Sequence, residues 1–201
     1  MRNNSLIQLH VQSLSEEAAD MSTTEQIAPT GTWALDSVHS SASFAVKHMG
    51  VSNYRTGFKT IEAVVDLDGA QPKLVGKVPV ESIDISEDML RGHLLSPDFF
   101  DAANHPYITF ESIAARIGED GTLEVEGNLT VKGITQPVKG KGSLSGPITD
   151  IAGKLRIGVE LEAVVDRTQL GLNWNAELPN GGVALENDVA IAVHLELTHE
   201  A

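Results

Sequence analysis

Histidine offers the most versatile chemistry in this chain, but its positions do not form a local site. No two of the seven histidines lie two apart on a strand or four apart on a helix, the spacings that place two imidazoles on one metal ion. A metal or acid–base site would have to be assembled in the folded chain from distant positions such as His39, His48 and His93. The sequence therefore predicts no metal ion and no cofactor, and it identifies no catalytic residue.

The usual nucleophile and phosphate-binding motifs are also missing. The chain contains no cysteine, which excludes disulfides and thiolate chemistry. The glycine-rich segment 140–146 fits neither the Gly-x-Ser-x-Gly turn of serine hydrolases nor the Gly-x-Gly-x-x-Gly loop of dinucleotide-binding proteins. Close packing or a bend within a strand explains its glycines better. Lys47, Arg55, Arg91 and Arg167 are candidates to face a charged ligand group, with a surface ion pair as the alternative for each.

The composition limits the partners. Asp and Glu number 28 against 14 Lys and Arg, which gives a formal net charge of -14 at pH 7. Such a surface repels nucleic acid and anionic membranes, so neither is an expected partner. The chain contains no apolar run of about 20 residues, the length that would predict a transmembrane helix. The N-terminus also lacks the apolar run of a secretory signal. We therefore expect a cytoplasmic protein, with a homodimer as an open possibility.

From Gly31 onward the apolar residues recur with a period of two. Ala42, Phe44, Val46 and His48 share one face of a predicted strand, and four later segments alternate in the same way. Turn signals separate these runs, which number about eight and are longer than typical sandwich strands. The pattern predicts an all-β fold, an antiparallel up-and-down barrel that leaves no exposed sheet edge.

Residues 1–30 differ from the rest of the chain. They are polar and acidic around 13–20 and linker-like from Met21, which is an alternative translation start. We predict that they form a disordered or weakly helical N-terminal extension. Residues 31–201 are then the barrel domain.

One segment, 86–97, breaks the strand period and predicts a short helical crossover. Ser86 is placed to cap its N-terminus. Leu90, His93 and Leu94 then share one face of the helix. That face is expected to pack over one end of the barrel.

The scarce aromatic residues concentrate after this helix, where Phe99, Phe100, Tyr107 and Phe110 follow one another closely. An eight-stranded barrel is about wide enough to enclose one small ligand, so these rings are candidates to line a cavity. The alternative is ordinary filling of the core. We predict ligand contact through apolar lining residues and polar head-group contacts: Phe44, Val46, Phe58, Leu94, Phe99, Phe100 and Trp174 as the lining, and His48, Arg91 and Arg167 as the head-group contacts.

Several segments together resemble a known family. The matching pieces include Trp33-Ala-Leu-Asp36, Ser96-Pro-Asp-Phe-Phe-Asp101, His105-Pro-Tyr-Ile-Thr-Phe110 and Asp166-Arg-Thr-Gln-Leu-Gly171. In this order they resemble the YceI-like family of polyisoprenoid-binding, lipocalin-like domains over residues 31–199. The resemblance implies a lipocalin-like barrel that holds a long isoprenoid or another lipid chain. Gly92 departs from it, because many members carry an acidic residue there.

These observations favour a binding protein over an enzyme. The predicted function is sequestration or transport of a long-chain apolar ligand, a polyisoprenoid or a related lipid or amide, inside the barrel. One alternative is an enzyme that acts on a small apolar substrate with His48 or His93 as acid or base. Another is a structural or stress-response protein whose barrel is filled. The interior of the barrel distinguishes the three hypotheses, because only a lipid-binding protein needs an apolar cavity large enough for a hydrocarbon chain.

Overall fold

The computed structural model describes residues 28, 30–69, 71–179 and 181–200. The predicted extension over residues 1–30 therefore lies almost entirely outside the described residues. The elements in chain order are β1 (Thr32–Leu35), β2 (Ser41–His48), β3 (Ser52–Phe58), β4 (Glu62–Asp66), β5 (Lys73–Pro79), α1 (Asp88–Leu95), β6 (Tyr107–Ile117), β7 (Thr122–Val131), β8 (Ile134–Thr149), β9 (Leu155–Asp166) and β10 (Leu185–His199). Short 3-10 turns at Val80–Ser82 and Arg167–Leu170 follow β5 and β9.

The strands form a closed antiparallel barrel, as the sequence predicts. Eight of them are hydrogen-bonded in the order β1-β4-β5-β6-β7-β8-β9-β10, and β1 closes the ring by pairing with β10. Strand β10 is long enough to pair with β1 at Leu197 and with β2 over Leu185–His194. Strand β3 extends this second pairing. Ring closure leaves the eight strands without the free edges that promote aggregation.

Alternation within each strand separates the barrel interior from its surface. In β7 the residues alternate between buried and exposed along almost the whole strand, from Leu123 inside to Glu124 outside. The inward residues at one end form a filled core around Trp33 and Leu197, both with 0% exposure. We call this the closed end of the barrel. It leaves no room for a ligand beside Trp33.

The opposite end, which we call the open end, is covered by α1 and the segments around it. Leu94 of α1 packs in a second buried cluster with Phe99 and Phe100. The predicted cap at Ser86 is wrong by one residue. The side chain of Glu87 accepts hydrogen bonds from the backbone N–H groups of Met89 and Leu90 and so begins the helix.

No helix among the described residues is both long enough and apolar enough to cross a membrane.

Candidate functional site

A cavity of about 600 Å³ lies inside the barrel and is lined by residues of both core clusters. Its floor includes Val65, Leu74 and Val125 from the closed-end core. Its upper wall includes Leu90 and Leu94 of α1. The volume falls in the range of about 300–1,000 Å³ that small-molecule sites occupy. The lining is almost wholly apolar, so the cavity suits a hydrocarbon chain.

Small residues in the inward row of several strands create this space. Ala42, Ala63 and Ala163 line the cavity, together with Gly76 and Gly140. A Cβ atom added at Gly76 would meet no heavy atom closer than 4.0 Å, and one added at Gly140 would find its nearest neighbour at 3.6 Å. Larger side chains at these positions would therefore point into empty volume.

Two clusters of aromatic rings frame the open end. In the first, Phe44 of β2, Phe58 of β3 and Phe100 are in mutual contact, with ring centroids 6.0–6.4 Å apart. Contacts of this tilted and edge-to-face kind stabilise by roughly 0.5–1.5 kcal/mol beyond burial. All three rings also line the cavity. They therefore attach the segment after α1 to the barrel and form part of the wall.

In the second cluster, the ring of His93 packs edge-on against Phe99 and Trp174, each with centroids 4.9 Å apart. Phe99 and Trp174 also contact each other at 5.3 Å. Because His93 lies on α1 and Trp174 on the segment before β10, this cluster joins the two elements that cover the cavity.

The segment 172–184 forms the other side of the mouth. Its tip is a small hairpin in which Glu177 pairs with Val183. Asn175 holds the hairpin to Leu185, since its side chain donates to the carbonyl of Leu185 and accepts from the N–H of that residue. The backbone of Met49, in the β2–β3 turn, donates to Ala184. The mouth is thus formed by short irregular segments that backbone and side-chain hydrogen bonds hold together.

Few polar side chains face the cavity. His48 and Tyr54 line it at the end of β2 and the start of β3. Burial raises the pKa of the Tyr54 hydroxyl, which therefore stays protonated and is available as a hydrogen-bond donor. Arg167 lines the cavity as well and is only 3% exposed.

The guanidinium of Arg167 holds both ends of the mouth segment. Its Nη1 donates to the carbonyls of Leu172 and Trp174, and its Nε donates to the carbonyl of Glu186. Burial lowers the pKa of Arg167, and the nearby charge of Asp166 opposes this shift. Arg167, which the sequence predicts as a head-group contact, therefore also fixes the backbone of the mouth segment through hydrogen bonds.

Nine of the ten residues predicted to contact a ligand line the cavity, namely all except Arg91. The Arg91 side chain forms an ion pair with Glu81 at 2.9 Å and also donates to the carbonyl of that residue. Its guanidinium is therefore engaged by Glu81 and is not among the groups that line the cavity.

Several residues that give the cavity its shape were not among the ten predicted ligand contacts, although the Phe110 ring was one of the candidates to line a cavity. Phe110 lines the wall, and its ring covers Gly127, where an added Cβ would lie 2.5 Å from the ring. The small residues of the inward row were missed too. A usable signal was present, because Ala63 and Ala163 occur where the alternation places inward residues.

A group of acidic residues and a histidine at the closed end resembles a metal site but already contains a cation. Among the described residues, ligand atoms of Asp36, His39 and Glu196 lie within 4.8 Å of one another. Nη1 of Arg156 lies 2.6 Å from Asp36 and 2.7 Å from Glu196. The guanidinium supplies the positive charge that a metal ion would bring.

Comparison with known proteins agrees with this architecture. The YceI-like domain model matches residues 33–197. The chain belongs to the YceI-like family. It is 30% identical over 173 residues to a UPF0312 protein of Staphylococcus aureus strain bovine RF122, an alignment that covers 83% of this chain and 96% of the relative.

Solved structures of two other proteins share the barrel fold. BcnA of Burkholderia cenocepacia superimposes with a TM-score of 0.68 at 24% identity, covering 81% of this chain and 98% of that one. A polyisoprenoid binding domain from Saccharophagus degradans, implicated in plant cell wall breakdown, gives a TM-score of 0.65 at 14% identity, with 86% of this chain and 100% of that domain covered. At these identities the likeness establishes the fold.

Proposed function

We propose that this YceI-like protein binds a long-chain apolar ligand, a polyisoprenoid or a related lipid or amide, inside its barrel for sequestration or transport. The observation that carries the proposal is the apolar cavity of about 600 Å³ between the filled closed end and the two aromatic clusters. The polyisoprenoid-binding neighbour with the same fold supports a ligand of this kind. A cytoplasmic location and a homodimer remain predictions from the sequence.

The affinity for such a ligand would come from burying hydrocarbon. Each buried methylene contributes up to about 0.8 kcal/mol, so a five-carbon prenyl unit adds several kcal/mol before entropy costs. An empty cavity of this size favours binding over the alternative of a filled structural barrel. The imidazole of His93 packs edge-on against Phe99 and Trp174 and so joins α1 to the segment before β10. This environment favours a role for His93 in closing the mouth over one in acid–base catalysis.

Native mass spectrometry tests the proposal directly. Protein purified from cells and then stripped with organic solvent should take up geranylgeraniol with one-to-one stoichiometry. Gly140→Leu places a leucine in the empty volume and should weaken uptake by more than about tenfold, because it excludes several methylenes of the ligand.

The matched control is Lys141→Leu, which adds the same side chain one residue along β8 at a position whose side chain is 82% exposed. It should bind like the wild type. If stripped wild-type protein takes up neither prenyl alcohols nor fatty amides, or if Gly140→Leu binds normally, the ligand does not lie in this cavity.

A further inference from the structure

The guanidinium of Arg167 has donor capacity that the described residues do not use. Arginine carries five N–H donors. The Nε and Nη1 donors of Arg167 are taken by three backbone carbonyls, as described above. Among the described residues, the remaining nitrogen, Nη2, contacts only the carbonyl of Leu185, at 3.4 Å. Because Nη2 carries two N–H groups, at least one of them stays available to a ligand.

The charge of Arg167 also lacks a partner within the described part of the chain. Among the described residues, arginine ion pairs within 4.0 Å are formed by Arg91, Arg116 and Arg156 and none by Arg167, although the Arg167 side chain is only 3% exposed. The adjacent carboxylate, Asp166, directs one oxygen to the backbone and hydroxyl of Thr168. A buried cation is costly unless it is paired and hydrogen-bonded, and neutral carbonyls supply only part of that compensation.

Because Arg167 also lines the cavity, we infer that it is the head-group site, and that the ligand is an amphiphile whose apolar chain ends in an anionic oxygen group, a carboxylate or a phosphate. This inference rests on the proposed function. A planar guanidinium with free donors matches the oxygens of either group, and a hydrogen bond between opposite charges is stronger in a water-poor site. The chain would then extend from Arg167 towards the floor of the cavity.

Matched ligand pairs that differ only in the head group test the inference. Isothermal titration calorimetry would compare hexadecanoic acid with hexadecanol, and geranylgeranyl monophosphate with geranylgeraniol. In at least one pair, we expect the dissociation constant of the anionic ligand to be at least about tenfold lower than that of its alcohol. A charge-assisted hydrogen bond can supply a difference of this size. The pair that shows the preference identifies the head group as carboxylate or phosphate.

Substitution of the arginine tests whether it is the origin of that preference. In Arg167→Met the ratio between the affinities for acid and alcohol should fall to about one, whatever affinity both ligands lose through the disturbed mouth. Arg91→Met removes an arginine outside the cavity, already paired with Glu81, and should leave the ratio unchanged. A preference that survives in Arg167→Met would overturn the assignment.

Because Arg167 also organises the mouth, one measurement avoids substitution altogether. The ¹³C-carboxyl resonance of labelled hexadecanoic acid bound to the wild type should titrate below the pKa of a free carboxyl group, since a nearby cation favours the anion. A bound carboxyl that titrates above its free value would overturn the inference. Alcohols that bind as tightly as acids would do so as well but leave the proposed function intact, whereas failure of every ligand to bind would refute both.

Discussion

Strand β9 has an arginine at each end, Arg156 near its start and Arg167 just after its last residue. The two guanidinium groups have different hydrogen-bond partners. Arg156, at the closed end, is hydrogen-bonded to Asp36, Asp150 and Glu196 at 2.6–2.7 Å. Arg167, at the open end, is far more buried and is surrounded by carbonyl groups. The closed end thus pairs its cation with carboxylates and fills its interior, whereas at the open end no described carboxylate pairs with the cation and side chains leave a volume unfilled. We attribute stability to the first and ligand binding to the second.

The largest difference between the two ends should appear on removal of a tryptophan. Trp33→Ala empties a fully buried position of the closed-end core and should lower the free energy of unfolding by about 3–5 kcal/mol. Trp174→Ala, at the half-buried mouth, should cost clearly less, because its ring borders existing empty space. Urea denaturation measures both. Equal losses would show that the open end is packed as tightly as the closed end.

Two glycines of β8, Gly140 and Gly142, allow the open and the tightly packed parts of the barrel to be compared within one strand. A Cβ at Gly142 would lie 1.8 Å from the carbonyl oxygen of Glu160, whereas one at Gly140 meets only ordinary contacts from 3.6 Å. Gly142→Ala should therefore destabilise the fold by about 1–3 kcal/mol through overpacking. Gly140→Ala should stay within about 0.5 kcal/mol of the wild type. Thermal unfolding of both variants checks this, and a reversed order would contradict the position of the cavity.

The smallest expected effect is on the thermal stability of the protein at low pH. Hydrogen bonds from Arg156 are the main cause that holds the pKa of Asp36 and of Asp150 below the ordinary carboxyl range. A lowered pKa stabilises the folded state above the unfolded pKa of about 4, and this contribution is lost as the pH falls below it. Wild type should therefore lose more thermal stability between pH 6 and pH 3 than Arg156→Met. Parallel curves for the two proteins would show that the cluster contributes nothing.

The sequence could predict the barrel because its strands are amphipathic with a period of two and its turns are marked by glycine. It could not predict how β10 divides its edge between β1 and β2, since that depends on pairing between residues more than 100 positions apart. The helix was predicted to within a residue at its N-terminus, where Glu87 rather than Ser86 provides the cap.

The candidate site was harder to predict, for a physical reason. Alternation shows which residues share a face, but a cavity is the absence of side chains, and Gly76 or Gly140 carries no hydrophobic signal. Arg91 and Arg167 are equivalent in sequence terms. Only the folded chain shows that Arg91 meets Glu81 outside the cavity and that Arg167 is buried at its wall.

The most direct test of the central claim is the position of a bound chain. Methyl-labelled alanine would be observed by nuclear magnetic resonance with a bound prenyl chain. We predict nuclear Overhauser effects from the chain to the methyl groups of Ala63 and Ala163, which line the cavity, and none to Ala103, which is exposed. Contacts confined to exposed alanines, with Ala63 and Ala163 unaffected, would contradict the account.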